Sequence, residues 1–229
     1  MKRSAINRVI AEAQEFLAAH QMRLPPFAHW SPEEMQARRA EIGEILDGQL
    51  GWDVTDYGSD DFASVGLTLF TVRNGRVADL AAGGGGVYAE KLLISGEGQV
   101  APMHRHHRKV EDIINRGGAT LALELYPSTP DGGIDRAQGV RVMTDGIWRE
   151  LGPGELLRLA PGESVTLTTD IWHAFWGEDG RALAGEVSTV NDDAADNVFE
   201  AGVPRFTEVE EDATPMRLLV SDYARWLGT

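Results

Sequence analysis

Apolar residues recur at helical spacing near the N-terminus and in short runs from Trp52 onward, so two different periods divide the chain. Ile6, Val9, Ile10, Ala13, Phe16 and Leu17 share one face of a 3.6-residue period, which predicts an amphipathic helix over residues 1–19 packed on a larger body. Beyond Pro25 and Pro26, the stretch Ser31-Pro32-Glu33-Glu34 combines a capping hydroxyl, a proline at the first helical position and a glutamate three residues after the cap. It predicts a second helix through about Leu46, ended by Gly48 and Gly51.

The later runs, Leu67 to Val72, Tyr88 to Ser95, Leu121 to Tyr126, Gly139 to Met143, Leu156 to Leu159, Ser164 to Thr168 and Leu183 to Val190, are separated by Gly, Asn, Asp and Pro. They read as short strands of a closed β-barrel or sandwich. Asn74-Gly75 suits a tight hairpin turn. The four glycines from Gly83 to Gly86 lack a following Gly-Lys-Ser/Thr or helix, and read as a loop rather than a phosphate cradle. A helical pattern resumes over Met216 to Leu227. The expected architecture is mainly β and a single domain: a helical extension over 1–50, a barrel over 51–212 and a helical tail over 213–229.

Composition narrows the function. With 229 residues, 42% of them hydrophobic and 25% charged, the chain can bury a real core. A formal net charge of -15 opposes nucleic acid and anionic membrane surfaces as partners. Arg105, Arg108 and Lys109 form a small basic cluster, read as solvated strand-edge charge with no binding role. Without cysteine, any transition-metal site must use nitrogen and oxygen ligands. No stretch resembles a signal or membrane-spanning segment, so a cytoplasmic location is expected.

Candidate chemistry centres on residues 98–118. Alternation along a strand sends His104 and His106 to one face, and Arg105 and His107 to the other. A turn at Arg108-Lys109 would bring Glu111 to the same interior, giving the mixed nitrogen and oxygen shell favoured by Mn, Fe, Zn, Co or Ni. Gly98 lies six residues before His104, Glu111 five after His106 and Gly118 seven after Glu111, a spacing that resembles the first cupin motif. Pro161-Gly162 followed by His173 resembles the second, although ten residues intervene and Gly177 replaces the usual Asn. The resemblance implies the cupin double-stranded β-helix, or jelly-roll barrel, with His104, His106, Glu111 and His173 as metal ligands. His20, His29 and His107 lack such company.

Further segments are similar to the D-lyxose isomerase family of cupin sugar isomerases. They are Gly51 to Gly58, Glu90 to Ile94, Pro102 to Gly118, Pro161 to Ser164, Trp172 to Trp176, Gly185 to Ser188 and Asn191 to Asp193. This resemblance implies a homodimeric aldose–ketose isomerase, typically manganese-dependent, that interconverts D-lyxose with D-xylulose and D-mannose with D-fructose. Such a reaction needs a base between C1 and C2 and a shuttle between the oxygens. Glu186 and Glu208 are the candidate carboxylates, and Lys91 is a candidate for polarising a sugar oxygen. Trp172 and Trp176 are candidates for stacking on the monosaccharide. Two rival readings are a non-haem metal dioxygenase with the same ligand shell and a sugar-binding cupin without turnover.

Overall fold

The structure is a computed structural model and describes residues 1–228; Thr229, the last residue of the expected tail, lies outside the described residues. Helix α1 spans Arg3–Ala19, and a 3-10 turn follows at Pro26–His29. The second helix is interrupted, forming α2 at Pro32–Ala37 and α3 at Gly43–Asp47. Ser31 and Glu34 form the expected capping box at the start of α2. Gly43 sits where the continuous helix would run, and a glycine there costs about 1 kcal/mol relative to alanine. At the break, Arg39 donates to the carbonyl of Leu227, tying the turn to the far end of the chain.

Eleven strands follow: β1 Gly51–Thr55, β2 Leu67–Asn74, β3 Tyr88–Ser95, β4 Ala101–His106, β5 Glu111–Pro127, β6 Val140–Thr144, β7 Ile147–Leu151, β8 Leu156–Leu159, β9 Ser164–Leu167, β10 Ile171–Thr189 and β11 Asn197–Phe199. The mainly β architecture follows the sequence expectation, but two strands are far longer than the apolar runs suggest. β5 and β10 pair antiparallel from Glu111 with Ser188 to Pro127 with Ile171. Their outer edges divide. The first half of β5 meets β9 and the second meets β8, while β10 meets β4 with its first half and β3 with its second. The two long strands thus belong to both layers, one running β1-β2-β3-β10-β5-β9-β6-β7 and the other completed by β11, β4 and β8.

The register of β5 and β10 shifts between Glu178 and Ala182, opposite Thr120 and Gly118, and again between Leu183 and Ala184, opposite Gly117 and Asn115. Gly118 has φ +80°, and a Cβ there would lie 2.4 Å from the carbonyl oxygen of Arg181. Only glycine fits this bend, which accounts for the motif glycine noted in the sequence.

Ile113, Leu121, Leu123, Leu125, Leu157, Leu159, Val165, Leu167 and Phe175 fill the space between the layers. The outer face of β1 to β3 is covered too. Ile6, Ile10, Ala13 and Leu17 of α1 pack on Trp52, Val54, Phe70, Leu92 and Ile94. β1 to β3 are therefore buried on both faces, and polar residues at the inward positions of β1 and β3 face a closed interior.

Two local expectations fail. Asn74-Gly75 does not close a hairpin; β2 and β3 are joined through the short helix α4, Val77–Ala82, and the glycine loop. The Asn74 amide is bonded in both directions to the backbone of Asn191, which holds it away from a two-residue turn. The C-terminal helix is also shorter than predicted, with a 3-10 turn at Val220–Asp222 leading into α5 at Tyr223–Leu227. Leu219 instead bridges to Trp52 and covers the outer edge of β1.

Candidate metal centre

Strand parity assembles the site. On β4 the inward positions are His104 and His106; on β5 they begin with Glu111 and Ile113; on β10 they include His173, Phe175 and Glu186; on β3 they are Lys91 and Leu93. All of these line one cavity, together with Tyr57, Lys109, Asp193, Asn197, Phe199 and Arg205.

His104, His106 and His173 bring ring nitrogens within 4.8 Å of one another. Glu111 Oε1 lies 3.1 Å from His173 Nε2 and 3.4 Å from His106 Nε2. Ligands about 2.1 Å from an ion stand about 3 Å apart along an octahedral edge, so these separations suit one shared ion. Both Nε2 atoms are buried without a hydrogen-bond partner among the described residues, a costly state that a cation would relieve. Nδ1 of His104 donates to the carbonyl of Pro102 over 2.7 Å and Nδ1 of His173 to that of Ile171 over 3.3 Å. Those bonds fix the orientation of each ring, and that of His173 places its Nε2 against Glu111.

Electrostatics keep the donors ready. Burial and the neighbouring His173 and His106 hold His104 well below the ordinary histidine range, while burial and Lys109 lower His106. Both rings are neutral and able to bind a metal. Burial pushes the Glu111 carboxyl up, yet Lys109, His106 and His173 outweigh it and keep the group ionised.

Lys109 is the main surprise. It is buried rather than solvated, with Nζ 2.7 Å from Glu111 Oε2 and 2.8 Å from Glu186 Oε1. Burial would lower its pKa, but Glu111, Glu186 and Asp193 raise it above the usual lysine value. The sequence carried no local signal for this, because Lys109 lies in the polar turn between β4 and β5 and is buried by its packing against Glu186 of β10.

Lys91 donates to Asn191 Oδ1 over 2.7 Å and to Asp193 Oδ1 over 3.3 Å, and its Nζ is 3.6 Å from Glu186 Oε1. Glu186 Oε2 accepts no hydrogen bond among the described residues, leaving one carboxylate oxygen for a ligand. Arg205 bonds Asp53 over 2.7 Å and Asp193 over 3.1 Å. Against burial, Arg205, Lys91 and Lys109 hold the Asp193 carboxyl well below its ordinary range. Lys91, Lys109 and Arg205 thus face Asp53, Glu111, Glu186 and Asp193, an excess of one carboxylate that favours a cation.

Three sequence candidates are not brought to the cavity. Glu208 is exposed, and its backbone carbonyl accepts from the N-terminal amine; Arg205, three residues earlier, reaches the interior instead. Trp172 and Trp176 alternate with His173 and Phe175, so they face away. Trp172 Nε1 donates to Gly133 O over 3.0 Å. The aromatic walls are Phe175, Phe199 and Tyr57, the last two edge to face at 5.5 Å. Tyr57 adopts φ +51° in a turn where Thr55 Oγ1 accepts from its backbone N–H. This turn directs the ring inward from segment 51–58.

The family model for D-lyxose isomerase matches residues 1–223. A D-lyxose/D-mannose isomerase of Serratia proteamaculans is 49% identical over 232 residues, covering all of both chains. Its counterpart in Escherichia coli O157:H7 is 42% identical over 230 residues, covering 99% of this chain and all of that one. Among solved structures, the L-ribose isomerase of Acinetobacter sp. DL28 in complex with L-ribose superposes with a TM-score of 0.60 at 16% identity, covering 92% of this chain and 98% of that one. The barrel is shared with that enzyme, while the sequence relationship assigns the chain more narrowly. This chain belongs to the D-lyxose isomerase family of sugar isomerases.

Proposed function

We propose that the chain is a divalent-metal-dependent aldose–ketose isomerase that interconverts D-lyxose with D-xylulose and D-mannose with D-fructose. The observation that carries this reading is Glu186, a buried carboxylate with one oxygen held by Lys109 and the other unpartnered, in the same cavity as a three-histidine, one-glutamate cluster. Family membership favours it over the oxygenase and binding-module alternatives.

His104, His106, Glu111 and His173 would hold the ion, expected from the resemblance to be Mn2+. A bound divalent ion supplies positive charge that stabilises the enediolate oxygens of an open-chain sugar. Glu186 acts as the base, accepting the proton from C2 on Oε2 and returning it to C1. Lys109 and Lys91 hold its other oxygen, fixing the direction of attack. Lys91 also polarises a sugar oxygen, while Arg205 and Asp193 offer hydrogen bonds to hydroxyls away from C1 and C2. Phe175, Phe199 and Tyr57 exclude water and give the carbon skeleton an apolar wall. The whole chain serves this site as one domain, and two copies form the working dimer.

The test is reconstitution. Protein stripped with a chelator and reloaded singly with Mn2+, Co2+, Fe2+, Ni2+ or Zn2+ is offered D-lyxose and D-mannose, with ketose formation and oxygen uptake recorded. The reading expects ketose with at least one ion, none in the stripped protein and no oxygen uptake. No ketose with any ion would refute it.

A further inference from the structure

Two of the three cavity histidines have Nδ1 fixed by a backbone carbonyl two residues earlier, and the third does not. Nδ1 of His106 is buried with no hydrogen-bond partner among the described residues. It faces Asp196 Oδ2 at 3.9 Å. Asp196 is itself buried, 3% exposed, which is unusual for an aspartate in a loop. Its Oδ1 accepts from the Arg108 N–H over 2.9 Å, its Oδ2 from the Lys109 N–H over 3.0 Å, and its carbonyl oxygen from the His107 N–H over 3.0 Å. One residue therefore binds three of the four backbone donors of the turn between His106 and Glu111, the fourth, Val110 N–H, donating to Thr189 Oγ1.

We propose that Asp196 is a positioning residue for the metal centre, accepting the Nδ1 proton of His106 so that Nε2 is presented to the ion, while its clasp on the 107–109 turn delivers Lys109 to Glu111 and Glu186. This rests on the metal-dependent reading above. The 3.9 Å gap exceeds a hydrogen bond, and a ring movement of about 1 Å closes it. A carboxylate behind a ligating imidazole fixes its tautomer and raises its basicity, and removing such a partner weakens metal binding about 10–100-fold. The second task explains why the partner is a carboxylate: its oxygens serve two backbone N–H groups and the ring together.

The experiment uses full-length wild type and Asp196→Asn, with Zn2+ affinity measured by chelator competition alongside a thermal melt. A cooperative melt with Zn2+ bound 10–100-fold more weakly is expected. Affinity within twofold of wild type would overturn the inference while leaving the metal reading intact. Failure of the wild type to bind any divalent ion would overturn both. If the variant does not fold, the Zn2+-loaded wild type decides by 15N–1H NMR of its histidine rings, assigned through ring-to-backbone correlations. The His106 Nδ1 proton should be downfield-shifted and slow to exchange, and a rapidly exchanging proton at the ordinary imidazole position would overturn the proposal.

Discussion

Lys109 donates to Glu186 over 2.8 Å inside the barrel, joining the turn after β4 to the second half of β10. The same ammonium contacts Glu111, so one cation neutralises a proposed metal ligand and the proposed base. Removing it would leave buried Glu111 without its ammonium partner and Glu186 with only Lys91, at 3.6 Å. Lys109→Met is therefore predicted to destabilise the metal-free protein by about 3–5 kcal/mol, the usual cost of breaking a buried pair from one side. Urea unfolding at neutral pH measures this, and an unchanged midpoint would show that Lys109 contributes nothing to stability.

Aromatic roles separate by strand parity. Trp172→Phe removes only the indole bond to Gly133 and is expected to cost about 1 kcal/mol of stability with KM unchanged. Phe199 lines the cavity against His104 and Tyr57, so Phe199→Ala should raise KM for D-lyxose several-fold at similar metal content. A KM increase in the tryptophan variant alone would reverse this assignment.

The metal-free protein should lose stability as pH falls below about 6.5. Burial, and then neighbouring cations and rings, hold His104 and His106 below the ordinary histidine value. Below about pH 6.5 the unfolded chain protonates these side chains while the folded chain does not, so unfolding takes up protons and acid favours it. Each such proton contributes up to about 1.4 kcal/mol per pH unit. Glu111 and Asp193, held low in the fold, act in the same direction only below the ordinary carboxylate range. Urea midpoints between pH 7.5 and 5 test the sign, and a flat profile would contradict it.

The convergence of His104, His106 and Glu111 on one cavity was legible in the sequence because alternation on one strand and a fixed spacing to Glu111 operate locally. Lys91 and Glu186 were legible as charges inside apolar strands, and the register pairs them directly. Lys109, Asp193 and Arg205 were not, because each lies in a polar segment where burial depends on the packing of distant chain. Arg205 is internal because Asp53 of β1 and Asp193 after β10 meet there, a juxtaposition with no local signature. Trp172 and Trp176 show the opposite fault. Proximity to His173 suggested a sugar contact, although alternation turns neighbours of an inward residue outward. The long β5 and β10 were hidden because each crosses two layers and changes its pattern of burial on the way.

Glu186 as the base is the centre of this account, and proton exchange tests it most directly. D-Lyxose deuterated at C2 is incubated in ordinary water with Mn2+-loaded wild type, Glu186→Gln and Glu208→Gln, each checked for metal content and cooperative melting. Wild type and Glu208→Gln should release deuterium from C2 at similar rates, and Glu186→Gln should be slower by about 10²–10⁴, the range for loss of a general base. Wild-type deuterium release by Glu186→Gln, with the metal retained, would contradict the account.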